Sequence, residues 1–392
     1  MVKQFLDTLW PLFGFARLLG MFPCKRISNE DGNIVLKPIN GKLQWLIYCC
    51  TEALILFSAL SATSWHFFKS QRSFEEVQKC QYNLWGGESI VDLLTFLAVL
   101  ALISLGSIMV QYGTFKMRHG LCDLSFQLDR NLKEDPLLLT FLTVSGLFVP
   151  PVICNSLLTG WLMVECLNLN WIDVVPTLIL SFLQIMNGYV PLIVFFALTL
   201  ECFSCLAYEI QQVRQHVEDR KLNITILDSV ANMTKKLEDV RLLLSNNLFW
   251  IMVIGSIEIL VMLYLVPAYF INYSKSKESV ALLGAGSMLL YVICFCTLMW
   301  VFNIAAQRIT YLVHRLKSDL RDIYVPEQSF MVMYEDQIVP ASFMNDRIID
   351  KLNNFDGFDG KGYFVLGKSF LKNFLAFCAT YFVILLQFKL SE

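Results

Sequence analysis

Apolar positions gather into seven runs, at about 44–65, 89–111, 137–164, 175–203, 247–271, 279–306 and 363–390. A helix crosses the roughly 30 Å of bilayer hydrocarbon with about 20 mainly apolar residues, so each run is long enough to span a membrane. Between runs the pattern becomes a helical stripe. Ile210, Val213 and Val217 recur at helical spacing, as do Leu237, Val240 and Leu244, so the fourth and fifth spans are expected to continue well beyond the bilayer. After the sixth run Ile309, Leu312, Leu316, Leu320 and Ile323 form a stripe flanked by Arg308, Arg315, Lys317 and Arg321. A short helix over 341–352, with Ile348, Ile349 and Leu352 on one face, can pack against these stripes before Gly357, Gly360 and Gly362 turn the chain toward the last run. No Pro-, Gly- or Ser-rich linker, internal repeat or low-complexity segment divides the chain.

The pattern predicts an all-α membrane protein with seven transmembrane helices and one membrane domain. Residues 1–43 form an N-terminal segment and 44–306 carry the first six helices with their extensions. Residues 307–362 form anchor helices and 363–392 the seventh helix. Composition agrees: 56% of the 392 residues are hydrophobic and 16% charged, with a mean hydropathy of +0.55. Charge sets the orientation. Of 31 Lys and Arg residues, 23 fall in the N-terminal segment and the second, fourth and sixth loops, and 6 in the other loops and the tail. The positive-inside rule then puts the N-terminus in the cytoplasm and the C-terminus outside, the reverse of a G-protein-coupled receptor. No cleavable leader is recognisable before the first run, which would act as its own insertion signal.

The same charges exclude other classes. A net charge of −2 with no basic stripe interleaved with aromatics argues against nucleic-acid binding. Four dispersed histidines, and cysteine pairs without histidine partners, leave no metal site, and no phosphate loop or nucleophile elbow is present. No cofactor is implied and the chain is not expected to be an enzyme. Cys80 and Cys166 alone fall toward the outside, which leaves a disulfide between them open. The sequon at Asn272 falls in an outside loop and is a glycosylation candidate.

A charge inside hydrocarbon is costly unless it is paired, neutralised or wetted, so ionisable residues within the runs are informative. Glu52, Asp92, Glu201 and Glu258 are the ones present. Asp92 and Glu201 lie near span ends, where a side chain reaches the interface. Glu258, nearer mid-span, either faces an aqueous cavity or makes a buried interhelical hydrogen bond. The outward halves of the third to sixth helices further bring Asn155, Thr159, Trp161, Gln184, Asn187, Tyr189, Tyr264, Ser287 and Tyr291 toward one another. Amides and hydroxyls among aromatic rings suit a small ligand that is part apolar and part hydrogen-bonding.

The last run ends Thr380-Tyr381-Phe382-Val383-Ile384-Leu385-Leu386-Gln387-Phe388. Threonine-tyrosine, five apolar residues and a final Gln-Phe resemble the C-terminal motif of insect gustatory receptors, a seven-helix family of ligand-gated cation channels. Gly360-Lys361-Gly362-Tyr363-Phe364-Val365-Leu366 is similar to that family's lead-in, with Gly360 where a small residue, commonly Ala, stands. The resemblance covers about the last thirty residues. It implies a homotetramer or a heteromer with other gustatory receptors, in the plasma membrane of chemosensory neurons, gated by a small-molecule tastant that binds in the outward half. It further places Gln387 and Phe388 at the pore gate and Ile384 along the pore. Family members tuned to sugars commonly carry an acidic residue after Thr-Tyr; Phe382 stands there, which tilts the expectation from a sugar receptor toward bitter plant compounds. An odorant receptor of the same superfamily is the nearest rival, against which the two ends of the motif argue. A G-protein-coupled receptor lacks its Asp-Arg-Tyr and Asn-Pro-x-x-Tyr sequences here, and a transporter lacks its repeated broken helices.

The charge segregation makes a direct prediction. In unpermeabilised cells a C-terminal epitope tag is expected to stain and an N-terminal one to stay hidden; staining of both or neither contradicts seven spans.

Overall fold

A computed structural model describes residues 24–28, 34–39, 41–70, 108–120, 170–219, 224–276, 279–322, 331–334 and 337–391. It also describes single positions between 14 and 22, at 76, 105 and 106, and between 146 and 165. The main elements are α1 (Gly41–Ser70), α2 (Trp171–Asp219), α3 (Ile224–Ser276), α4 (Ser279–Asp322), α5 (Ala341–Asn353) and α6 (Lys368–Ser391). Residues 108–120 are helical but for a turn at Met117, and every described position between 146 and 165 is helical.

Helices α2, α3 and α4 contain 49, 53 and 44 residues, or about 74, 80 and 66 Å at 1.5 Å per residue. Each exceeds a bilayer by more than twofold. Among the described residues Tyr189–Val217, Thr225–Ile271 and Leu282–Asp322 are long and apolar enough to cross a membrane. The architecture is that of a multi-pass membrane protein. α3 and α4 pack along each other, α4 also lies on α2, and α5 and α6 dock on both α3 and α4.

The polar ends of the long helices form a closed bundle within one chain. Ile210 and Val217 of α2, Leu237, Val240 and Leu244 of α3, Ile309, Leu316 and Leu320 of α4, and Ile348 and Leu352 of α5 are all 2% exposed or less. Intrachain packing therefore covers the helical stripes that continue past the apolar runs. Arg214 to Asp319 (2.6 Å), Lys236 to Glu209 (2.9 Å) and Arg321 to the Asn353 carbonyl oxygen (3.0 Å) tie the same helices at their rims. Such partly exposed pairs contribute no more than about 1 kcal/mol each. Burial holds the bundle together and the rim pairs set its rotation.

Two antiparallel hairpins depart from the all-α expectation: β1 (Cys24–Ser28) with β2 (Ile34–Pro38), and β3 (Met331–Tyr334) with β4 (Gln337–Pro340). Strands of four and five residues are too short to stand out against helical periodicity. Pro340, which cannot donate to a ladder, ends β4 and enters α5 in an extended conformation (φ −60°, ψ 145°). The last helix starts at Lys368 rather than near Tyr363. Asn272 lies in the final turn of α3, not in a loop, because the helix runs on to Ser276. Cys80 and Cys166 lie outside the described residues.

What precedes α6 is a tight clasp. Leu366 donates to the Phe358 carbonyl (2.8 Å) and Gly360 to that of Phe364 (2.9 Å), closing a short loop around Asp359. One Asp359 oxygen accepts from Arg241 Nε of α3 (2.9 Å) and the other from the Gly362 N–H (2.6 Å), while the Lys361 N–H donates to Ser245 (2.8 Å). Gly362 takes φ +77° and Gly357 φ +128°, conformations that a Cβ would strain. Phe358, fully buried, stacks near Phe203 of α2 at 4.4 Å between ring centres. Asp359→Ala removes one charged and one neutral hydrogen bond and is expected to cost about 1–3 kcal/mol. Asp359→Asn is expected to cost less. Thermal unfolding of the purified variants checks both.

Candidate functional site

Antiparallel packing of α3 on α4 builds the buried polar site. At Gly255 a Cβ would overlap the ring of Phe295, so only glycine lets that ring lie on the α3 backbone. Small residues at membrane helix interfaces allow this close approach. One turn further along each helix the approach brings Glu258 and Tyr291 together: the Tyr291 hydroxyl donates to Glu258 Oε2 at 2.8 Å. Tyr189 of α2 completes the group, its ring centre 5.8 Å from that of Tyr291 and tilted by 50°. The three residues are 3%, 2% and 8% exposed for Tyr189, Glu258 and Tyr291. The carboxyl group thus has a hydroxyl donor and aromatic walls instead of water. Between the two readings open for Glu258, the interhelical hydrogen bond is present.

The other expected ligand residues fall differently. Ser287 lies one turn from Tyr291 and is buried, but its hydroxyl donates to the Gly284 carbonyl of its own helix at 2.9 Å. Tyr264 is half-buried against the core and Trp161 is 37% exposed. Gln184 and Asn187 lie within α2, where only their backbone is described, and Asn155 and Thr159 fall outside the described residues. Glu201, expected to reach the interface, is instead 2% exposed, with the Cys205 thiol donating to its Oε1 at 3.7 Å. Glu201 is part of α2, and the packing of α1, α3 and α4 on that helix leaves it no route to the surface. The side chain of Glu52 and the whole of Asp92 lie outside the described set.

Helix α6 presents two unlike faces. Phe374 and Cys378, 7% and 6% exposed, lie against the bundle. Phe377, Tyr381 and Ile384, spaced at helical intervals, are 42%, 43% and 39% exposed, and Gln387 is exposed as well. The rings of Phe377 and Tyr381 meet with centres 4.5 Å apart, tilted by 47°. Thr380 turns its hydroxyl back to the Ala376 carbonyl (2.8 Å), so the motif threonine is satisfied within its own helix. The Phe388 side chain lies outside the described set.

Sequence reasoning missed the residue that joins these parts. Asn303, 2% exposed on α4, donates to the Met299 carbonyl (2.8 Å) and accepts the N–H of Gly367, immediately before α6, at 2.8 Å. An amide late in an apolar run, like Gln387, was the available signal.

No protein-family model and no curated protein sequence matches the chain. Solved structures do. The insect olfactory receptor OR5 from Machilis hrabei superposes over 97% of this chain and 98% of its own, at a TM-score of 0.58 and 13% identity. The fold is that of an insect olfactory receptor. The same receptor in complex with eugenol superposes over 98% of both chains, at 0.61 and 14%. At such identity the olfactory-receptor likeness resides in the backbone path, and side-chain roles rest on the contacts above.

Gly255→Ala is expected to push the buried Phe295 ring aside and to cost about 1–3 kcal/mol through overpacking. Gly286, whose Cβ would meet nothing within 4 Å, is the control: Gly286→Ala is expected to leave the melting temperature unchanged or slightly raised.

Proposed function

We propose that the chain is a subunit of a tetrameric, ligand-gated, non-selective cation channel of the gustatory-receptor type. In this reading it has seven spans, its N-terminus in the cytoplasm and its C-terminus outside, in the plasma membrane of chemosensory neurons. The observation that carries the proposal is the divided surface of α6. Its Phe374–Cys378 side is buried, while the side bearing Tyr381, Ile384 and Gln387 is exposed among the described residues. That exposed side carries the C-terminal motif. Four copies around an axis would line a pore with Ile384 and Gln387 and narrow it at Phe388. An apolar ring of that kind gates by dewetting, and neutral amides replace part of an ion's hydration without strong charge selection.

The ligand reading rests on Tyr189, Glu258 and Tyr291. Two phenol rings and a carboxyl group in an apolar surround suit a small molecule with one or two hydroxyls on an apolar frame. Bitter plant compounds are of this class, and eugenol, bound by the olfactory receptor of like fold, is a phenol with an apolar tail. The absence of an acid after Thr380-Tyr381 supports this class over sugars. An odorant receptor is the second reading, favoured by the fold of its solved relative and opposed by the motif.

Whole-cell recording with surface levels matched tests the proposal, against a panel of bitter compounds, sugars and volatile odorants. Tyr291→Phe deletes the donor to Glu258 and is expected to shift the half-maximal concentration roughly two- to tenfold, the equivalent of one hydrogen bond. Phe388→Ala is expected to leak current without ligand, and Gln387→Ala to change conductance more than sensitivity. If Phe388→Ala is silent at rest and Gln387→Ala conducts like the parent, α6 does not line the pore. Responses confined to volatiles favour the odorant reading.

A further inference from the structure

A cleft of about 820 Å³ lies between residues 113–120 and the polar half of α3. Three lysines from three separate parts of the chain line it: Lys116, Lys235 of α3, and Lys361 of the clasp. Among the described residues Asp239 is the one acid on its wall. Neither Lys116 nor Lys235 makes an ion pair among the described residues. Lys361 Nζ sits 5.1 and 5.4 Å from the ring centres of Phe249 and Trp250, which hold it at the rim. Convergent, unpaired ammonium groups around a concavity repel one another until an anion enters.

Position selects the anion. The cleft ends at Asn247, where the apolar run of α3 begins, so it lies at the level where a helix passes from headgroups into hydrocarbon. Leu242 on its wall is 66% exposed, an apolar margin that a soluble anion does not need and an acyl chain does. Basic pockets of this kind on the cytoplasmic side of membrane helices take phosphorylated lipid headgroups.

We propose that this cleft binds the headgroup of a multiply phosphorylated anionic phospholipid of the inner leaflet, its phosphates held by Lys116, Lys235 and Lys361. The inner-leaflet assignment rests on the orientation proposed above. A headgroup there bridges residues 113–120, α3 and the clasp that sets the start of α6, so lipid occupancy stiffens the base of that helix.

The test is binding of a fluorescent short-chain phosphatidylinositol bisphosphate to the purified full chain, followed by polarisation in detergent. K116Q/K235Q is expected to weaken binding roughly thirtyfold, the loss of two lysines acting on an anionic headgroup. K116R/K235R, which keeps both charges, and K317Q, outside the cleft, are expected to stay within about threefold of the parent. Equal affinity of K116Q/K235Q and parent overturns the site, as does failure of the arginine pair to bind while it melts like the parent. Inorganic phosphate that binds as tightly as the lipid overturns the lipid assignment in favour of a soluble anion. The assay uses neither tastant nor current, so it stands or falls apart from the channel reading, and epitope staining tests the orientation separately.

Discussion

Where α6 begins is decided by one buried amide. The first amides of any helix lack intrahelical partners, and a buried one cannot turn to water. Asn303 meets that need from outside the helix by accepting the Gly367 N–H, while its own N–H bond to Met299 fixes the side chain. The clasp closes on the other side of Gly367 through Asp359, Arg241 and Ser245 of α3. A column of rings, Phe196, Phe302, Phe203 and Phe358, with neighbouring centres 4.4 to 6.0 Å apart, ties α2 and α4 to that clasp. The base of α6 is therefore held by all three long helices.

This arrangement gives α4 two attachments. Tyr291 meets Glu258, and Asn303, twelve residues or about 18 Å further along the same helix, meets the start of α6. A rigid helix with two such polar contacts transmits a shift at one to the other. In the proposed channel, a ligand that changes how α4 sits against α3 would alter the footing of α6, with no need for a chain of small side-chain movements between them.

Several polar groups buried in the apolar bundle find a partner within it. Asn247, 1% exposed, donates to the Val110 carbonyl and to Thr114 across the helix interface, at 3.3 Å each. Gly113 makes room, since any Cβ there would overlap the Asn247 amide oxygen. Thr199 and Ser287 each bond a carbonyl of their own helix at 2.9 Å. Such contacts contribute modestly to stability, yet their loss strands a polar group in hydrocarbon, which makes them strong determinants of register. On the exposed side of α6, Thr380 is satisfied in the same way within its own helix.

The sequence by itself determined the class and much of the outline. Seven apolar runs, helices continuing past the bilayer and a short helix at 341–352 are written in residue periodicity, because burial on one side or all sides leaves a periodic trace. The polar character of Glu258 and Tyr291 within apolar runs was legible there too. Tertiary structure alone decided who partners whom. That Glu258 pairs with Tyr291 depends on Gly255 admitting Phe295, a contact between residues forty positions apart that no local pattern records. Glu201 reads as an interfacial acid until helix packing closes around it. The hairpins escaped because four- and five-residue strands carry too little periodicity, and Asn303 escaped because a cap drawn from another helix leaves no trace beside the residue it caps. Local patterns report solvent and lipid; long-range hydrogen bonds report only the fold.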